Sequence, residues 1–297
     1  MASDSIDVIS GADRLFLERA AEYLEHPSFL MKVANLLGTP IETLGKVLPA
    51  RVRDTASDVA TAALQKALRV ALLTVQQGDT VRREVEEIEN EGATGRFRHN
   101  LAAGVAGALA GSLGLAALAV ELPITTTIMM RNIGSVAASF GEDLNDREVQ
   151  LQCLAVFSLG GAAAEKQSDL SGMESTYYTT RFALGNLMRE AAQYVARVTA
   201  QDLMRDLAAG ASPALVRYIA QVAARFNLIV SQKLLAQAVP ALGAVGGATV
   251  NVAFNAHFDR VARYHFGIRA LERKYGREAV QLAYKTALEK SKVELRH

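Results

Sequence analysis

Residues 99–120 read HNLAAGVAGALAGSLGLAALAV, twenty-two positions without a formal charge, and lead through Glu121-Leu-Pro123 into a second apolar run that reaches Phe140. Gly104, Gly107, Gly111 and Gly114 are spaced by three, four and three, so a helix places all four on one face, with Leu118 and Glu121 continuing it. A glycine inside a helix costs roughly 0.5–1 kcal/mol against alanine. Four of them on one stripe point to compensation by the close approach of a neighbouring helix. A second charge-free run, Leu234 to Phe258, repeats the device: Gly243, Gly247, Asn251, Asn255 and Asp259 are each four apart, a glycine stripe that turns polar towards its C-terminal end. Each stripe therefore ends in polar side chains, and both are expected to end near one polar cluster.

Outward from these runs the chain has the character of helices joined by short breaks. Spacings of three and four recur, sustained apolar/polar alternation is absent, and no Asn-Gly or Asp-Gly hairpin turn occurs. The predicted fold is an all-α multi-helix bundle with two central Gly/Ala-rich apolar helices and no significant β-sheet. Helices are expected over Asp13 to Glu25, Phe29 to Leu37, and Ile41 to Gln77 with a bend near Pro49. Asp146 is a natural cap for a helix carrying Cys153, Tyr177 to Leu207 is amphipathic, and Ser212-Pro213 restarts a helix. A last helix is expected from about Arg277. The polar stretch Glu165 to Ser175 is the best linker, so the expected organisation is an N-terminal helical extension over 1–40 and a helical domain over 41–297, with an internal division near 165–175. Asp79 to Glu91, with six acidic and two basic residues, is read as a solvated face.

Composition narrows the function classes. Half of the 297 residues are hydrophobic but only 6% are aromatic and Trp is absent, so the core is built of Ala, Leu and Val. A net charge of +1 offers no field for a polyanion, which argues against nucleic-acid binding. Ten Lys or Arg against five Asp or Glu between His257 and His297 make the C-terminal region basic. Cys153, the single cysteine, is read as a buried, inert thiol compatible with a reducing compartment. The N-terminal sequence has no basic segment leading into an apolar one, as a secretory signal would. The expected location is the cytoplasm, or peripherally the inner face of the cell membrane. The charge-free runs satisfy the length of a membrane span, and small-xxx-small spacing is frequent in membrane helix pairs. Their Ala and Gly content, Pro240 and the polar Gln237, Asn251 and Asn255 favour a packed interior helix or a peripheral contact over a span.

No Gly-x-Ser-x-Gly elbow, phosphate loop, His-Glu-x-x-His helix or Ser-x-x-Lys pair is present, and no cofactor or metal is read from the chain. His257 and His265 are eight apart, about 12 Å along a helix, too far to share a metal unless the helix breaks at Gly267. A polar network in which Arg269 pairs Glu272 at i,i+3 is the better reading. Glu121 is the only formal charge between Arg98 and Arg131. It is either a surface residue before Pro123 or the internal partner of Arg131, pinning the two apolar helices.

The segment Glu121-Leu-Pro-Ile-Thr-Thr-Thr-Ile-Met-Met-Arg131, then Gly141-Glu-Asp and Leu154-Ala-Val-Phe-Ser-Leu-Gly-Gly161, resembles the EcsC family of bacterial proteins. So does the run Val239 to Asn251, with Phe254, His265-Phe266, Arg269 and Leu271-Glu-Arg-Lys-Tyr-Gly276. The resemblance covers about Leu44 to Lys285. It implies a helical protein, cytoplasmic or membrane-associated, and an ABC exporter as a partner in the setting of the family's namesake. It supplies no catalytic residues. The pattern matches at Glu121, Pro123, Arg131, Gly141, Glu142, Gly243, Asn251, Phe254 and Glu272. The expected polar cluster is Glu121, Arg131, Glu142, Asn251, Asn255, His265, Arg269 and Glu272. The leading expectation is binding of a membrane, a lipid-like molecule or a membrane protein without catalysis. The alternatives are an enzyme using that cluster on a lipid or acyl substrate, and a soluble scaffold; oligomeric state is not encoded in any motif.

Overall fold

The computed structural model describes residues 8–25, 50–74, 115–160, 175–199, 202–203, 205–206, 209–237 and 243–294. Among them are eight α-helices, one short 3-10 turn and no strand, as the periodicity requires. The helices are α1 (Gly11–Glu25), α2 (Ala50–Thr74), α3 (Leu115–Ser139), α4 (Arg147–Ala155, continued by the 3-10 turn Val156–Ser158), α5 (Thr176–Val195), α6 (Pro213–Gln237), α7 (Gly243–Tyr275) and α8 (Arg277–Glu294). The expected helix over 29–37, the bend at Pro49, the acidic face over 79–91, the linker over 165–174 and Pro240 lie outside the described residues. So do Gly104, Gly107, Gly111 and Gly114, and nothing of the surroundings of Gly243 and Gly247 is described beyond their place in α7.

The most extensive packing is between α2 and α3, followed by α2 with α6, α5 with α6 and α3 with α7. Small side chains make the first contact close. Ala56, Ala60, Ala63 and Ala67 form a fully buried stripe on α2, flanked by Leu64 and Leu68, and α3 offers Leu122, Met129, Met130, Ile133 and Ala137. Aromatic residues fill the centre, where Phe157, Phe226, Phe254 and Phe258 meet with centroids 5.1–6.1 Å apart. The thirty-three residues of α7 make a rod about 50 Å long at 1.5 Å per residue. α1 lies against α8 and α7.

Helix ends follow local chemistry. Asp146 caps α4, its side chain accepting from the Glu148 N–H at 2.8 Å, and Pro213 opens α6, both as expected. Gly141, at φ +78°, lets α3 end in a tight reversal in which the Glu142 N–H donates to the Ala137 carbonyl at 3.1 Å. Gly160, at φ +66°, turns the chain so close to α7 that a Cβ there would sit 2.6 Å from Val261 Cγ2. α5 is shorter than expected, ending at Val195.

One expectation fails through the continuity of a helix. Pro123 does not separate two helices: α3 runs through it. Thr126 and Thr127 donate through their hydroxyls to the carbonyls of Leu122 and Pro123, both at 2.7 Å, on the turn that follows the ring. α7 likewise continues through Gly267, whose missing Cβ makes room for the Phe16 ring of α1; a Cβ would lie 2.2 Å from Phe16 Cζ.

Candidate functional site

The expected cluster resolves into two separate constellations carried by opposite ends of α7. At the N-terminal end, Glu121 of α3 is 5% exposed and forms an ion pair with Lys233 of α6, itself fully buried. The expected partner Arg131 is exposed. It lies ten residues further along an unbroken helix, about 15 Å away along the axis. Lys233 Nζ also lies 4.8 Å from the centroid of the Phe254 ring, in the turn of α7 that carries the buried Asn251 and Asn255. The polar ends of the two sequence stripes thus meet at one place, with Lys233 between them. Burial pulls the Lys233 ammonium below its ordinary range, against the attraction and hydrogen bond of Glu121. Thr125, one turn beyond Glu121 and fully buried, has no hydrogen-bond partner for its hydroxyl among the described residues.

The second constellation gathers α4, α5, α8, the C-terminal half of α7 and the turn after α3. Arg269 does not pair Glu272. Its Nε and Nη2 hold Glu142 at 2.9 and 3.1 Å, while Arg273 Nη1 reaches the same carboxylate at 2.5 Å. Arg273 Nη2 also donates to the Phe140 carbonyl at the end of α3, at 2.6 Å. Glu272 instead accepts two parallel bonds from Arg181 of α5, at 2.8 and 2.9 Å. The i,i+3 pair is outcompeted because each side chain finds a bidentate partner elsewhere, Glu142 in the turn after α3 and Arg181 on α5. Burial raises the Glu142 carboxyl, but the hydrogen bonds and charges of Arg269 and Arg273 prevail and hold it below the ordinary range.

His265, fully buried, lies within reach of the charges of Arg181 and Arg269. Its Nδ1 faces the Tyr177 hydroxyl at 3.0 Å and its Nε2 the Gln152 Oε1 at 3.1 Å. One neutral tautomer satisfies both contacts: Nε2–H donates to Gln152 and Nδ1 accepts from Tyr177. Burial, with the charges of Arg181 and Arg269 added, holds the imidazole pKa well below its ordinary value. Tyr177, Tyr178 and Tyr284 pack together, and the Arg181 guanidinium lies 5.3 and 5.5 Å from the centroids of the first two rings. His257 belongs elsewhere, bonded through Nδ1 to the Tyr23 hydroxyl of α1 at 3.0 Å.

The start of α5 is held by a carboxylate from α1. Glu25 accepts from the Ser175 hydroxyl at 2.5 Å, the Thr176 and Tyr177 backbone N–H groups at 2.8 and 3.2 Å, and the Tyr284 hydroxyl at 3.2 Å. A negative charge at a helix N-terminus is favourable, and here it ties three helices together.

Beside this network opens a cavity of about 430 Å³ among α4, α5, α7 and α8. Among the described residues five cations line it, Arg181, Arg189, Arg269, Arg277 and Lys285, with Glu148 as the one carboxylate. Leu159, Leu184, Met188 and Leu288 supply an apolar side, and Phe182, 71% exposed, stands at the opening. Gly185 faces the cavity with nothing within 4 Å of where a Cβ would be. Among the described residues, no group of three or more His, Cys, Asp or Glu is placed to hold a metal ion, and no helix is long and apolar enough to cross a membrane.

Sequence reasoning missed Lys233, Arg181, Gln152 and Tyr177. Lys233 carried a readable signal, since it is the only formal charge between Arg225 and Asp259. The other three lie in mixed sequence and acquire meaning only from the fold. Cys153 is buried as expected, its thiol pushed up by burial to about 12. The model of the EcsC protein family matches residues 17–271. No curated protein and no solved structure matches the chain.

Proposed function

Since this chain belongs to the EcsC protein family, we propose that it is a helical binding protein of the inner membrane face that docks on an anionic surface and holds the headgroup of a lipid-like molecule. The observation that carries the reading is the cation-lined cavity among α4, α5, α7 and α8. Its volume falls within the range of small-molecule sites, about 300–1,000 Å³, yet is too small for a whole two-chain lipid. A headgroup and the first part of a chain fit, the remainder staying in the bilayer. The exposed Phe182 beside Arg189, Arg277 and Lys285 is the combination that interfacial binding uses, an aromatic ring for the headgroup boundary and cations for anionic lipid.

Binding is favoured over acid–base catalysis by where the polar groups lie. Glu121 and Asn251 sit by Phe254, and Glu142 binds Arg269, fifteen residues further along α7, or about 22 Å. These groups do not reach a common substrate. Both ring nitrogens of His265 are engaged and the residue is fully buried.

Sedimentation with vesicles tests the proposal. The full chain should pellet with phosphatidylcholine vesicles doped with phosphatidylglycerol, remain in solution with phosphatidylcholine alone, and be released by molar salt, where the screening length falls to about 3 Å. Indifference to vesicle charge at low salt would refute it.

A further inference from the structure

We propose that the inner end of the cavity is a subsite for a dianionic phosphate monoester, read by Arg181 and Arg269 together with the amide of Gln152. The inference rests on the cavity reading above and adds the chemistry of the headgroup. Both arginines line the cavity, and both are fixed from behind by carboxylates outside its wall. The pair with Glu142 uses one N–H each from Nε and Nη2 of Arg269, and the pair with Glu272 one each from Nη1 and Nη2 of Arg181. A guanidinium has five N–H donors, so a bidentate pair orients it without exhausting it. Gln152, 6% exposed, gives its Oε1 to His265 and thereby keeps its NH₂ for the cavity it lines.

Preorganisation matters because an anion entering such a site has no side chains left to order. Two planar donors on different helices, α5 and α7, with an amide from α4, suit an acceptor that presents oxygens in several directions, as a tetrahedral phosphate does and a planar carboxylate does not. Charge agrees. Among the described residues the lining cations outnumber the one lining carboxylate, Glu148, and this positive lining favours a doubly ionised monoester over a singly charged diester. His265 adds no charge of its own. Its imidazole is held neutral by burial and by the same two arginines, so the field at the inner end stays that of the guanidinium groups. The apolar wall of Leu184, Met188 and Leu288 leads from there towards Phe182, a path for an acyl chain.

Calorimetric titration of the full chain with dioctanoyl phosphatidic acid, dioctanoyl phosphatidylglycerol, glycerol 3-phosphate and inorganic phosphate tests the assignment. Phosphatidic acid should bind at least about tenfold more tightly than phosphatidylglycerol, the equivalent of one charge-assisted hydrogen bond. Its affinity should rise with pH through about 6, where a phosphate monoester loses its second proton. Arg181→Lys and Arg269→Lys keep the charge facing Glu272 and Glu142 but lose the forked donors. Each should bring phosphatidic acid down to the level of phosphatidylglycerol and flatten the pH dependence, a readout that a folding fault does not produce. Gly185→Leu, which fills open space, should weaken both lipids.

If the two lysine variants bind phosphatidic acid as the wild type does while Gly185→Leu loses both lipids, the phosphate subsite is refuted and the cavity reading stands. If Gly185→Leu binds both lipids unchanged, the cavity reading falls and the subsite with it. If glycerol 3-phosphate or inorganic phosphate binds as tightly as phosphatidic acid, the subsite holds, its ligand is a free phosphate compound, and the membrane source is refuted.

Discussion

Removing the ammonium of Lys233 should be among the most damaging single changes in the described core. The side chain is fully buried and its partner Glu121 is 4% exposed, so Lys233→Met leaves a carboxylate in the interior with no counter-ion. Breaking a buried pair from one side costs about 3–5 kcal/mol, and loss of the contact with Phe254 adds to it. The double variant Glu121→Leu/Lys233→Met removes both charges and keeps the volume, and should recover to within about 1 kcal/mol of the wild type or exceed it, as buried pairs replaced by apolar residues often do. The coupling between the positions should therefore be at least about 3 kcal/mol, several times that of an exposed pair.

Urea denaturation followed by far-UV circular dichroism is the assay, because the chain has no Trp and is helical. A single-variant loss under 1 kcal/mol, or a coupling no larger than a surface pair gives, would refute the buried ion pair.

Four further outcomes follow from the geometry. Gly185→Ala should stabilise the protein by about 0.5–1 kcal/mol, since it lies in a helix with open space at its Cβ; Gly160→Ala should lower the melting temperature, because a Cβ there combines a positive φ with a 2.6 Å approach to Val261. Glu25→Gln should cost about 2–3 kcal/mol in urea denaturation by weakening the charged acceptor shared by Ser175, Thr176, Tyr177 and Tyr284; a loss below 0.5 kcal/mol, within the scatter of ordinary surface changes, would show that α1 is held otherwise. His265 has a depressed folded pKa, so its stabilising contribution is complete above the ordinary value of 6.5 and is lost as pH falls below it, by up to about 1.4 kcal/mol per unit; the difference in urea midpoints between wild type and His265→Gln should therefore change with pH below about 6.5 and stay flat above it.

Helix positions were legible in the sequence because their causes are local. Asp146 and Pro213 mark starts through side-chain and ring chemistry that acts within one turn. The failures came where a tertiary contact overrides a local rule. Proline normally ends a helix, yet α3 continues through Pro123 with its flank buried against α2 and α7. That error propagated: a break at Pro123 would have folded Arg131 back towards Glu121, whereas an unbroken helix carries it away. The reasoning that singled out Glu121 as a lone charge in an apolar run applies equally to Lys233. Two lone charges of opposite sign, each flanked on both sides by at least seven uncharged residues, are natural partners, because neither has another way to be neutralised in a core. Arg269 and Glu272 failed differently. Their i,i+3 spacing permits a pair worth a few tenths of a kcal/mol, and only the fold shows that Glu142 and Arg181 offer each a bidentate alternative.

The separation along α7 assigns different work to the two polar constellations. The N-terminal one has its charges balanced, Lys233 against Glu121, and is enclosed by Phe254 and the α3 and α6 helices. Nothing there presents a charge to solvent, so its consequence is the mutual placement of α3, α6 and α7. The C-terminal one is unbalanced: Glu142 and Glu272 are paired while further cations remain along an open cavity. An excess of like charge held in fixed positions repels itself and lowers stability unless a counter-charge arrives. Arg181 and Arg269 are nevertheless held rigidly, half-buried, by Glu272 and Glu142, an arrangement that makes energetic sense when the missing counter-charge is a ligand. α7 joins the two, its first half packed through Phe254 against the Lys233–Glu121 pair of α6 and α3, its second half carrying Arg269 beside the Glu272–Arg181 pair with α5.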